Sequence, residues 1–358
     1  MRWKGLIAGL VMVGGMVPVM GAQESASGPM LLVLAKHDEM LSLVDPGTLK
    51  VVAKVPTGGN PHEVIASADG RTAWVTNYGN GSLHSIRVID LMGRRVEKVI
   101  ELGPIWGPHG LAFADGKVWF TAEREKLIGR IDPATEGVDW LMGTGQTGTH
   151  MLWVAKDASE IVTVNVGSGT MNLFTRNPVG TLQKAGGPPS KAGATTMHGD
   201  DPAPVPDWEQ RIVKVGGLPE GFDVIPDAEG HAQTVWVANA KEGTVSVIDF
   251  ATGQVTATIE AGVPTANRLK FTPDHRMALI SREKSGELTF VDVASRKVLK
   301  RVMIGTGAAG VLVAPDGKRA YVSCSPDNDV VVVDLASMQV VGKIEAGMEP
   351  DGLAWAGR

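Results

Sequence analysis

Three histidines occupy one equivalent position of a sequence pattern that recurs along the chain. They are His62, His109 and His150. Neutral imidazoles are common ligands of divalent transition metals, with zinc or copper the candidate ions for such a set. Three imidazoles around a metal also leave a coordination position for water, which the metal can acidify for hydrolysis. The three histidines are therefore candidate metal ligands.

The other copies of the pattern place Glu220, Asn267, Ala309 and Asp351 at the same position. Glu220 and Asp351, together with Glu123, are candidate general bases because a carboxylate can accept a proton from water. A structural explanation stands beside this one. Repeats inherit residues, so the aligned histidines could be products of duplication that only hydrogen-bond the adjoining loop.

Polar side chains also recur where the second strand of each copy is predicted to end. Arginine there could hold a carboxylate or phosphate through two hydrogen bonds, and asparagine offers both a donor and an acceptor. Together with Asn267, the candidate ligand-binding residues are Asn77, Arg124, Asn165, Asn239 and Arg282. Cys324 takes the place of asparagine in one copy and is expected to be a small buried hydrophobic residue.

The elements that position these residues follow from a repeat of about 42 residues. In most copies an apolar segment ends in aspartate, and these residues are Asp45, Asp90, Asp132, Asp249, Asp292 and Asp334. Most of these aspartates follow a segment similar to aromatic-Val-Thr-Asn. A turn containing Asp-Gly or Pro-Asp comes before that segment. Asp-Gly between apolar runs is typical of a hairpin, so each copy predicts four short antiparallel strands, a to d.

Seven such copies predict an all-β fold, a seven-bladed β-propeller of four-stranded antiparallel blades. The chain begins with only three strands and ends with one more, around residues 351–355. This last strand is expected to join the N-terminal blade as its innermost member and to close the ring. In such a ring, the start of strand a and the loop from b to c open on one face, around the central channel.

The repeats resemble the YVTN β-propeller repeats of YncE-like secreted bacterial proteins. The resemblance rests on residues 74–77, 236–239 and 321–324, on the Pro-Asp-Gly turn at 315–317, and on Val-Ile-Asp-x-x-Thr-Gly at 247–253. It implies a secreted or periplasmic seven-bladed propeller, and most such proteins have no assigned activity. The architecture is also similar to that of lactonases and of dehydrogenase heavy chains.

Residues 1–22 have the three parts of a secretory signal peptide. Arg2 and Lys4 precede an uncharged apolar run, and small residues end at Ala22. We therefore expect a periplasmic or extracellular protein without a membrane span after cleavage, although an uncleaved N-terminal anchor is an alternative. The predicted division is a signal peptide at 1–22, a linker at 23–29 and the propeller at 30–358. A Pro/Gly-rich insertion loop at 177–207 interrupts the fourth blade.

Composition excludes several other classes. The 358 residues are 43% hydrophobic and include one cysteine, which excludes an internal disulfide and CxxC metal or haem motifs. The net charge of −5 is unfavourable for contact with a phosphate backbone, so we do not expect nucleic acid as a partner. Lysine and arginine on the predicted outer strands are expected to protect sheet edges from association.

The sequence thus predicts an exported, monomeric binding or scaffold protein with a polar, His-rich ligand site at the mouth of the central channel. A small molecule, a protein or a peptide is the expected partner there. One alternative is a metal-assisted hydrolase similar to lactonases. Another is a periplasmic redox-partner protein.

Overall fold

The computed structural model describes Met1 and residues 28–177 and 207–357. Within these residues the chain forms seven four-stranded antiparallel sheets, which confirms the predicted seven-bladed β-propeller. Apart from Met1, the predicted signal peptide lies outside the described residues, as do residues 178–206 of the predicted insertion loop. Among the described residues, the helical segments are too short to cross a membrane.

The strands are numbered β1 to β28 along the chain, and the blades follow the same order. Blades 1 to 3 contain β1 (Met30–Ala35), β2 (Met40–Asp45), β3 (Lys50–Pro56), β4 (Pro61–Ala66), β5 (Thr72–Asn77), β6 (Ser85–Asp90), β7 (Arg95–Glu101), β8 (Pro108–Ala114), β9 (Lys117–Ala122), β10 (Leu127–Asp132) and β11 (Gly137–Gly143). Blades 4 and 5 contain β12 (Thr149–Val154), β13 (Glu160–Asn165), β14 (Thr170–Arg176), β15 (Trp208–Lys214), β16 (Pro219–Pro226), β17 (Ala232–Asn239), β18 (Thr244–Asp249) and β19 (Gln254–Ile259). Blades 6 and 7 and the closing strand contain β20 (Ala266–Phe271), β21 (Met277–Arg282), β22 (Glu287–Asp292), β23 (Lys297–Met303), β24 (Ala308–Val313), β25 (Arg319–Cys324), β26 (Asp329–Asp334), β27 (Gln339–Ile344) and β28 (Pro350–Ala356). Short 3₁₀ turns lie at Gly79–Gly81 and Ser325–Asp327.

The C-terminal strand closes the ring as the sequence predicted. β28 pairs antiparallel with β1, with Leu31 opposite Trp355, and becomes the innermost strand of blade 1. The first and last parts of the described chain therefore share one sheet, and the ring is closed by backbone hydrogen bonds.

The apolar core is divided among the blade interfaces. Seven clusters of buried residues each join two neighbouring blades around the ring. The aromatic residue of the repeated strand-b segment contributes to them: the Trp74 ring stacks on Phe113 of the next blade with centroids 5.5 Å apart, and Trp236 contacts Phe271 at the same centroid distance. The recurring tryptophans therefore pack blade against blade.

The recurring aspartates end the third strand of six blades. In each, the carboxylate accepts a backbone N–H two or three residues later, as when Asp249 accepts from Thr252 at 2.8 Å and Asp334 from Ser337 at 2.8 Å. Such side-chain turns favour the hairpin to the outer strand because they supply an acceptor to a free N–H. The aspartate that recurs in the sequence repeat therefore marks the turn between the third and fourth strands.

The inner strand of every blade carries a β-bulge near its start. In β4 the pairing with β5 passes from Pro61–Asn77 to Val64–Val75, so the second and third residues of the strand stand opposite one partner residue. The same shift occurs in the other six inner strands. A bulge redirects side chains, and here it affects the two residues nearest the channel mouth.

Candidate functional site

All seven residues that the repeat alignment placed at one position are the second residue of an inner strand. They are His62, His109, His150, Glu220, Asn267, Ala309 and Asp351. Every one of them lies in the bulge, at the same end of the channel. The structure therefore brings the candidate histidines and two of the candidate carboxylates into one ring.

His62, His109 and His150, here called the His cluster, come from three successive blades and are in ring contact. The centroids of His62 and His109 are 4.4 Å apart, and those of His109 and His150 are 3.8 Å apart. His109 is fully buried between its two neighbours. The three imidazoles therefore form one continuous contact across blades 2 to 4.

Hydroxyl groups of strand b fix the backbone beneath two of these histidines. The Thr76 hydroxyl donates to the carbonyl of His109 at 3.1 Å, and the Thr121 hydroxyl donates to the carbonyl of His150. Each also accepts an N–H from the bulge of its own blade, as when Gly110 donates to Thr121 at 2.8 Å. The bulges of neighbouring blades are thereby held in register.

Glycine as the third residue of an inner strand allows the inner strands of neighbouring blades to approach each other closely. A Cβ atom on Gly110 would come within 2.7 Å of the carbonyl oxygen of His150. A larger residue there would push the neighbouring strand, and His150 with it, away from the channel.

Glu123 connects the His cluster to a tyrosine. Its carboxylate is hydrogen-bonded to Nδ1 of His150 and accepts a hydrogen bond from the Tyr78 hydroxyl. Burial alone would raise the pKa of Glu123, but the contacts with His150 and Tyr78 outweigh burial and lower it. The carboxylate is therefore ionised and fixes the orientation of the His150 ring.

His150 lies between two carboxylates. Its Nε2 is 3.7 Å from Oε1 of Glu220, on the side of the ring away from Glu123. Burial alone would lower the pKa of His150, but the contacts with Glu123 and Glu220 outweigh it and raise the pKa to about 9. In the absence of a metal, His150 is thus the cationic member of the His cluster.

His62 faces a third carboxylate. Its Nδ1 is 3.4 Å from Oδ2 of Asp351, and Lys36 is 3.1 Å from the same oxygen. Burial lowers the pKa of His62 despite the nearby charge of Asp351. Burial alone would raise the pKa of Asp351, but His62, Lys36 and Arg268 lower it. At neutral pH this pair is a neutral imidazole beside a carboxylate.

His109 has no polar partner on either ring nitrogen. Burial, with the charge of His150 beside it, lowers the pKa of His109 well below its ordinary value. Among the described residues, eight buried side-chain polar atoms lack a hydrogen bond, and four belong to the His cluster: Nδ1 of His62, Nδ1 and Nε2 of His109, and Nε2 of His150. Buried polar atoms usually bond to protein, water or an ion, so these nitrogens can accept a further partner.

An ion pair crosses the channel beside the His cluster. Arg268 of blade 6 is bonded to Glu63 of blade 2, and both side chains are nearly inaccessible to solvent. Arg268 also lies 3.8 Å from Glu220, which accepts a hydrogen bond from Asn267 at 2.8 Å. Glu63 and Arg268 are each the third residue of an inner strand, within the bulge. Glycine occupies this position in four other blades.

A cavity of about 700 Å³ opens over the opposite half of the same mouth. His62, Glu220 and Asp351 line it and also contact the His cluster or its partners. The cavity is therefore continuous with the His cluster and could hold a ligand beside it. We call it the Ala309 cavity, because Ala309 lies in its lining on blade 7.

Several predicted ligand-binding residues are used within the blades. Asn77 donates to the carbonyls of Thr57 and Gly59 at 2.9 and 2.8 Å. Asn165 and Asn239 are likewise buried and bonded to groups of their own blades or adjoining loops. Their amides tie the strand end to the loops, so the structure does not place these three in the ligand site.

The two arginines predicted at strand ends are also directed elsewhere. Arg282 is bonded to Glu287 and to the carbonyl of Pro264, the latter at 3.2 Å. Arg124 is exposed on the turn that follows Glu123. Asn267, by contrast, lies in the lining of the Ala309 cavity. Cys324 is buried, and burial raises the pKa of its thiol to about 12, so it is unreactive at neutral pH.

Sequence reasoning missed four residues of the site: Lys36, Glu63, Tyr78 and Arg268. Lys36 and Tyr78 directly follow strand b, at the position of Glu123 in blade 3. Glu63 and Arg268 follow the aligned ring position by one residue. Both pairs could have been found from the repeat, because each residue lies one position after a residue that the alignment compared.

The arrangement suits a divalent transition metal. Carboxylates face Nδ1 of His150 and Nδ1 of His62, and Nε2 of His150, 3.7 Å from Glu220, has no hydrogen-bond partner. Carboxylate-oriented imidazoles are common around protein-bound zinc. Ligand atoms of His109, Glu123 and His150, one from each residue, lie within 4.8 Å of one another, and His62 is outside this group. Glu220 could then accept a proton from water in the adjoining cavity.

Comparisons with known proteins identify the fold alone. No protein-family model matches the chain, and no curated protein matches it by sequence. Among solved structures, a functionally unknown protein from Desulfotomaculum acetoxidans is similar at 12% identity and a TM-score of 0.69, covering 91% of this chain and 98% of that one.

Two further structures extend the range of similar proteins. A putative 6-phosphogluconolactonase from Bacteroides fragilis has 13% identity and a TM-score of 0.68, covering 93% of this chain and 99% of that one. Kuenenia stuttgartiensis hydrazine synthase has 17% identity and a TM-score of 0.65, covering 90% and 99%. At these identities the similarity is one of propeller architecture.

Proposed function

We propose that this propeller is a metal-dependent ligand-binding protein that holds zinc or copper in the His cluster at the channel mouth. The observation that carries the proposal is the contact of three imidazoles from successive blades, in which both ring nitrogens of His109 and Nε2 of His150 have no hydrogen-bond partner. A metal ion would satisfy one nitrogen of each ring, and nitrogen ligands suit both zinc and copper.

The three rings would have different roles in holding the ion. His62 and His150 would bind through Nε2, because Asp351 and Glu123 face their Nδ1 atoms. His109 remains neutral because burial keeps its pKa low, so it has a lone pair to donate. Glu123 would orient His150 rather than bind the metal, since its carboxylate is already engaged by His150 and Tyr78.

Metal content measured by mass spectrometry tests this proposal. Protein purified without a His tag, offered zinc and copper and then dialysed, should retain about one metal per chain, and His109→Ala should retain none. His231→Ala is the matched control, because the His231 side chain is 43% exposed and lies outside the His cluster. His109→Gln, checked by circular dichroism, covers the case in which alanine disrupts folding. Wild-type protein without metal would refute the proposal.

A second candidate function is metal-assisted hydrolysis, and Glu220 favours it. Its side chain is a quarter exposed, lies in the lining of the Ala309 cavity and is 3.7 Å from His150. A carboxylate at that point could take the proton from a water molecule that attacks a bound ester or lactone. The similarity to a putative 6-phosphogluconolactonase makes lactones the first compounds to assay.

The hydrolase candidate is tested by comparing Glu220→Gln with wild-type protein on a panel of lactones and esters. Zinc-loaded wild type should show saturable hydrolysis, and Glu220→Gln should lose at least about a hundredfold in kcat while keeping its metal. Absence of turnover by a fully zinc-loaded protein would leave the binding function alone.

We further propose that the protein is exported and belongs with the YVTN propellers. The charged start, apolar run and small residues of the first 22 positions support export, and the repeated aromatic-Val-Thr-Asn segments support the relationship. Cell fractionation tests export: full-length protein should be outside the cytoplasm, and a variant without residues 2–22 should remain inside.

A further inference from the structure

The Ala309 cavity exists because one blade lacks a large side chain in the bulge. The second residue of the inner strand, which lies in the bulge, is histidine, glutamate, asparagine or aspartate in six blades and alanine in blade 7. Gly310 follows Ala309, so neither bulge residue of blade 7 fills the mouth. The cavity centred there measures about 700 Å³, which is large enough for a small organic ligand.

Most of the residues that line this cavity are polar or charged. Its charged and amide members include Lys36, Glu220, Asn267, Arg268, Glu349 and Asp351. The lining contains neither a large aliphatic residue nor an aromatic ring other than His62. Most small-molecule pockets are lined predominantly by apolar residues, so this lining is unusual and disfavours an apolar ligand.

Lys36 is paired with Asp351 and Arg268 lies near Glu220, yet hydrogen-bonding capacity remains in the lining. Lys36 has three N–H donors and one close carboxylate, Asp351. Glu220 accepts from Asn267 through Oε1, which leaves Oε2 available. A simple anion would meet Glu220 and Asp351, and a simple cation would meet Lys36 and Arg268. A molecule whose groups both donate and accept would find partners on every side.

We propose that the Ala309 cavity binds a polyhydroxylated small molecule, a sugar or sugar acid, with one hydroxyl directed toward the His cluster. Each hydroxyl can donate to a carboxylate and accept from lysine, arginine or asparagine, which matches the lining. His62 belongs to both the cavity and the His cluster, so a ligand that fills the cavity would reach the metal. The inference rests on the proposed function, because the metal would supply that last contact.

The test compares calorimetric binding of D-glucose and D-gluconate by the zinc-loaded protein, with cyclohexanol as the apolar probe. Wild type should bind one of the two hydroxylated compounds and not cyclohexanol. A preference for gluconate would identify a sugar acid, and a preference for glucose a neutral sugar.

Ala309→Gln should weaken this binding by about tenfold or more, because its side chain would occupy the cavity. The substitution suits the fold, since the equivalent residue of blade 5 is the equally large Glu220. Ala112→Gln is the matched control, half-buried on the inner strand of blade 3 and beyond its bulge. Both variants should retain the metal of wild-type protein.

The outcomes separate this inference from the proposed function. Zinc-loaded wild type that binds neither hydroxylated compound would overturn the ligand class while leaving the metal site intact. Equal binding by wild type and Ala309→Gln would overturn the location. Sugar binding that is unchanged by zinc removal would overturn the contact with the metal, whereas a protein that takes up no zinc would refute the proposed function itself.

Discussion

His109 is fully buried between two other imidazoles, and neither of its ring nitrogens has a hydrogen-bond partner. An unpaired buried polar atom costs roughly 1–3 kcal/mol, so a protein that only needed a packed mouth would be more stable with an apolar residue there. The rings of His62 and His150 differ from that of His109 because each of them faces a carboxylate. This asymmetry, with two oriented rings around a neutral one, is the residue-level argument for a metal.

Glu123→Gln should weaken zinc binding by about tenfold or more, because the amide lacks the charge that orients and polarises His150. Tyr78→Phe should weaken it less, since the carboxylate remains but loses one hydrogen bond. Competition titration with a chromophoric chelator measures both affinities. Glu136→Gln, which removes a surface carboxylate paired with Lys98, is the control. Equal affinities for Glu123→Gln and wild type would contradict the orienting role.

At the scale of the elements, a β-bulge positions every ring residue, and a strand-b hydroxyl group holds four of them: His109, His150, Ala309 and Asp351. The hydroxyl opposite the bulge binds the N–H of its own blade and the carbonyl of the next one, as Thr121 does with Gly110 and His150. Ser281 and Ser323 make the corresponding contact with Ala309 and Asp351, at 2.6 and 2.7 Å. The Thr of the repeated segment is thus a connection between blades.

Thr121→Val should lower the free energy of unfolding by about 1–2 kcal/mol, because two buried backbone groups lose their partner. Thr163→Val offers a matched control. Thr163 is equally buried, but its hydroxyl has no partner, so valine should be neutral or stabilising there. Urea denaturation of the two variants measures the difference. If Thr163→Val were the more destabilising, the assigned role of the hydroxyl would be wrong.

The aspartates that end the third strands predict how stability depends on pH. Hydrogen bonds from Thr252, Ser295 and Ser337 lower the pKa of Asp249, Asp292 and Asp334 below the ordinary value of 3.8. A carboxyl whose pKa is lower in the folded state stabilises the fold above the unfolded pKa. That contribution declines as the pH falls toward the folded pKa.

Urea midpoints between pH 7 and pH 3 should therefore fall more steeply for wild type than for a variant with Asp249, Asp292 and Asp334 all changed to asparagine. The variant should also be less stable at pH 7, because the neutral amide is a weaker acceptor than the carboxylate. Parallel pH profiles for the two proteins would show that these turns do not contribute to the acid dependence.

The same elements explain how far the sequence predicted the site. The repeat located the bulge residue in all seven blades, because turn aspartates and strand-b segments set the register. It selected Glu123 in blade 3 and Asn77, Asn165 and Asn239 in other blades, whereas Tyr78, which contacts Glu123, lies one residue after Asn77. The direction of a side chain at a strand end depends on loop hydrogen bonds, which are specific to each blade. Contacts across the ring, such as Glu63 with Arg268, cannot be derived from a repeat.

For the whole molecule, closure of the ring by β28 controls both stability and the site. β28 supplies the inner strand of blade 1 and carries Asp351, the partner of His62. Each blade interface is one apolar cluster, so loss of a strand opens two interfaces. Stability and the His cluster therefore depend on the same strand.

A chain that ends at residue 347 should lose cooperative urea unfolding and bind no zinc. A rearranged chain, in which residues 348–357 are joined through a short linker in front of residue 28, should recover both, because β28 pairs antiparallel with β1. Size-exclusion chromatography with denaturation measures the outcome. A truncated chain that unfolded like wild type would show that the closing strand is dispensable.

The propeller architecture is common to proteins named for different activities, here a putative lactonase and a hydrazine synthase. Function must therefore be argued from the residues at the channel mouth. In this chain those residues form the His cluster on blades 2 to 4 and the Ala309 cavity over blades 5 to 7 and 1, and His62 belongs to both. The first half would hold a metal, and the second half would hold its ligand.

X-ray absorption spectroscopy of the zinc-loaded protein tests the central claim most directly. Three imidazole ligands should appear as nitrogen neighbours at about 2.0–2.1 Å, with the outer-shell scattering typical of histidine rings. His109→Gln should reduce the imidazole count by one if zinc remains bound. A zinc spectrum with sulfur neighbours, or with oxygen neighbours and no imidazole scattering, would contradict the account.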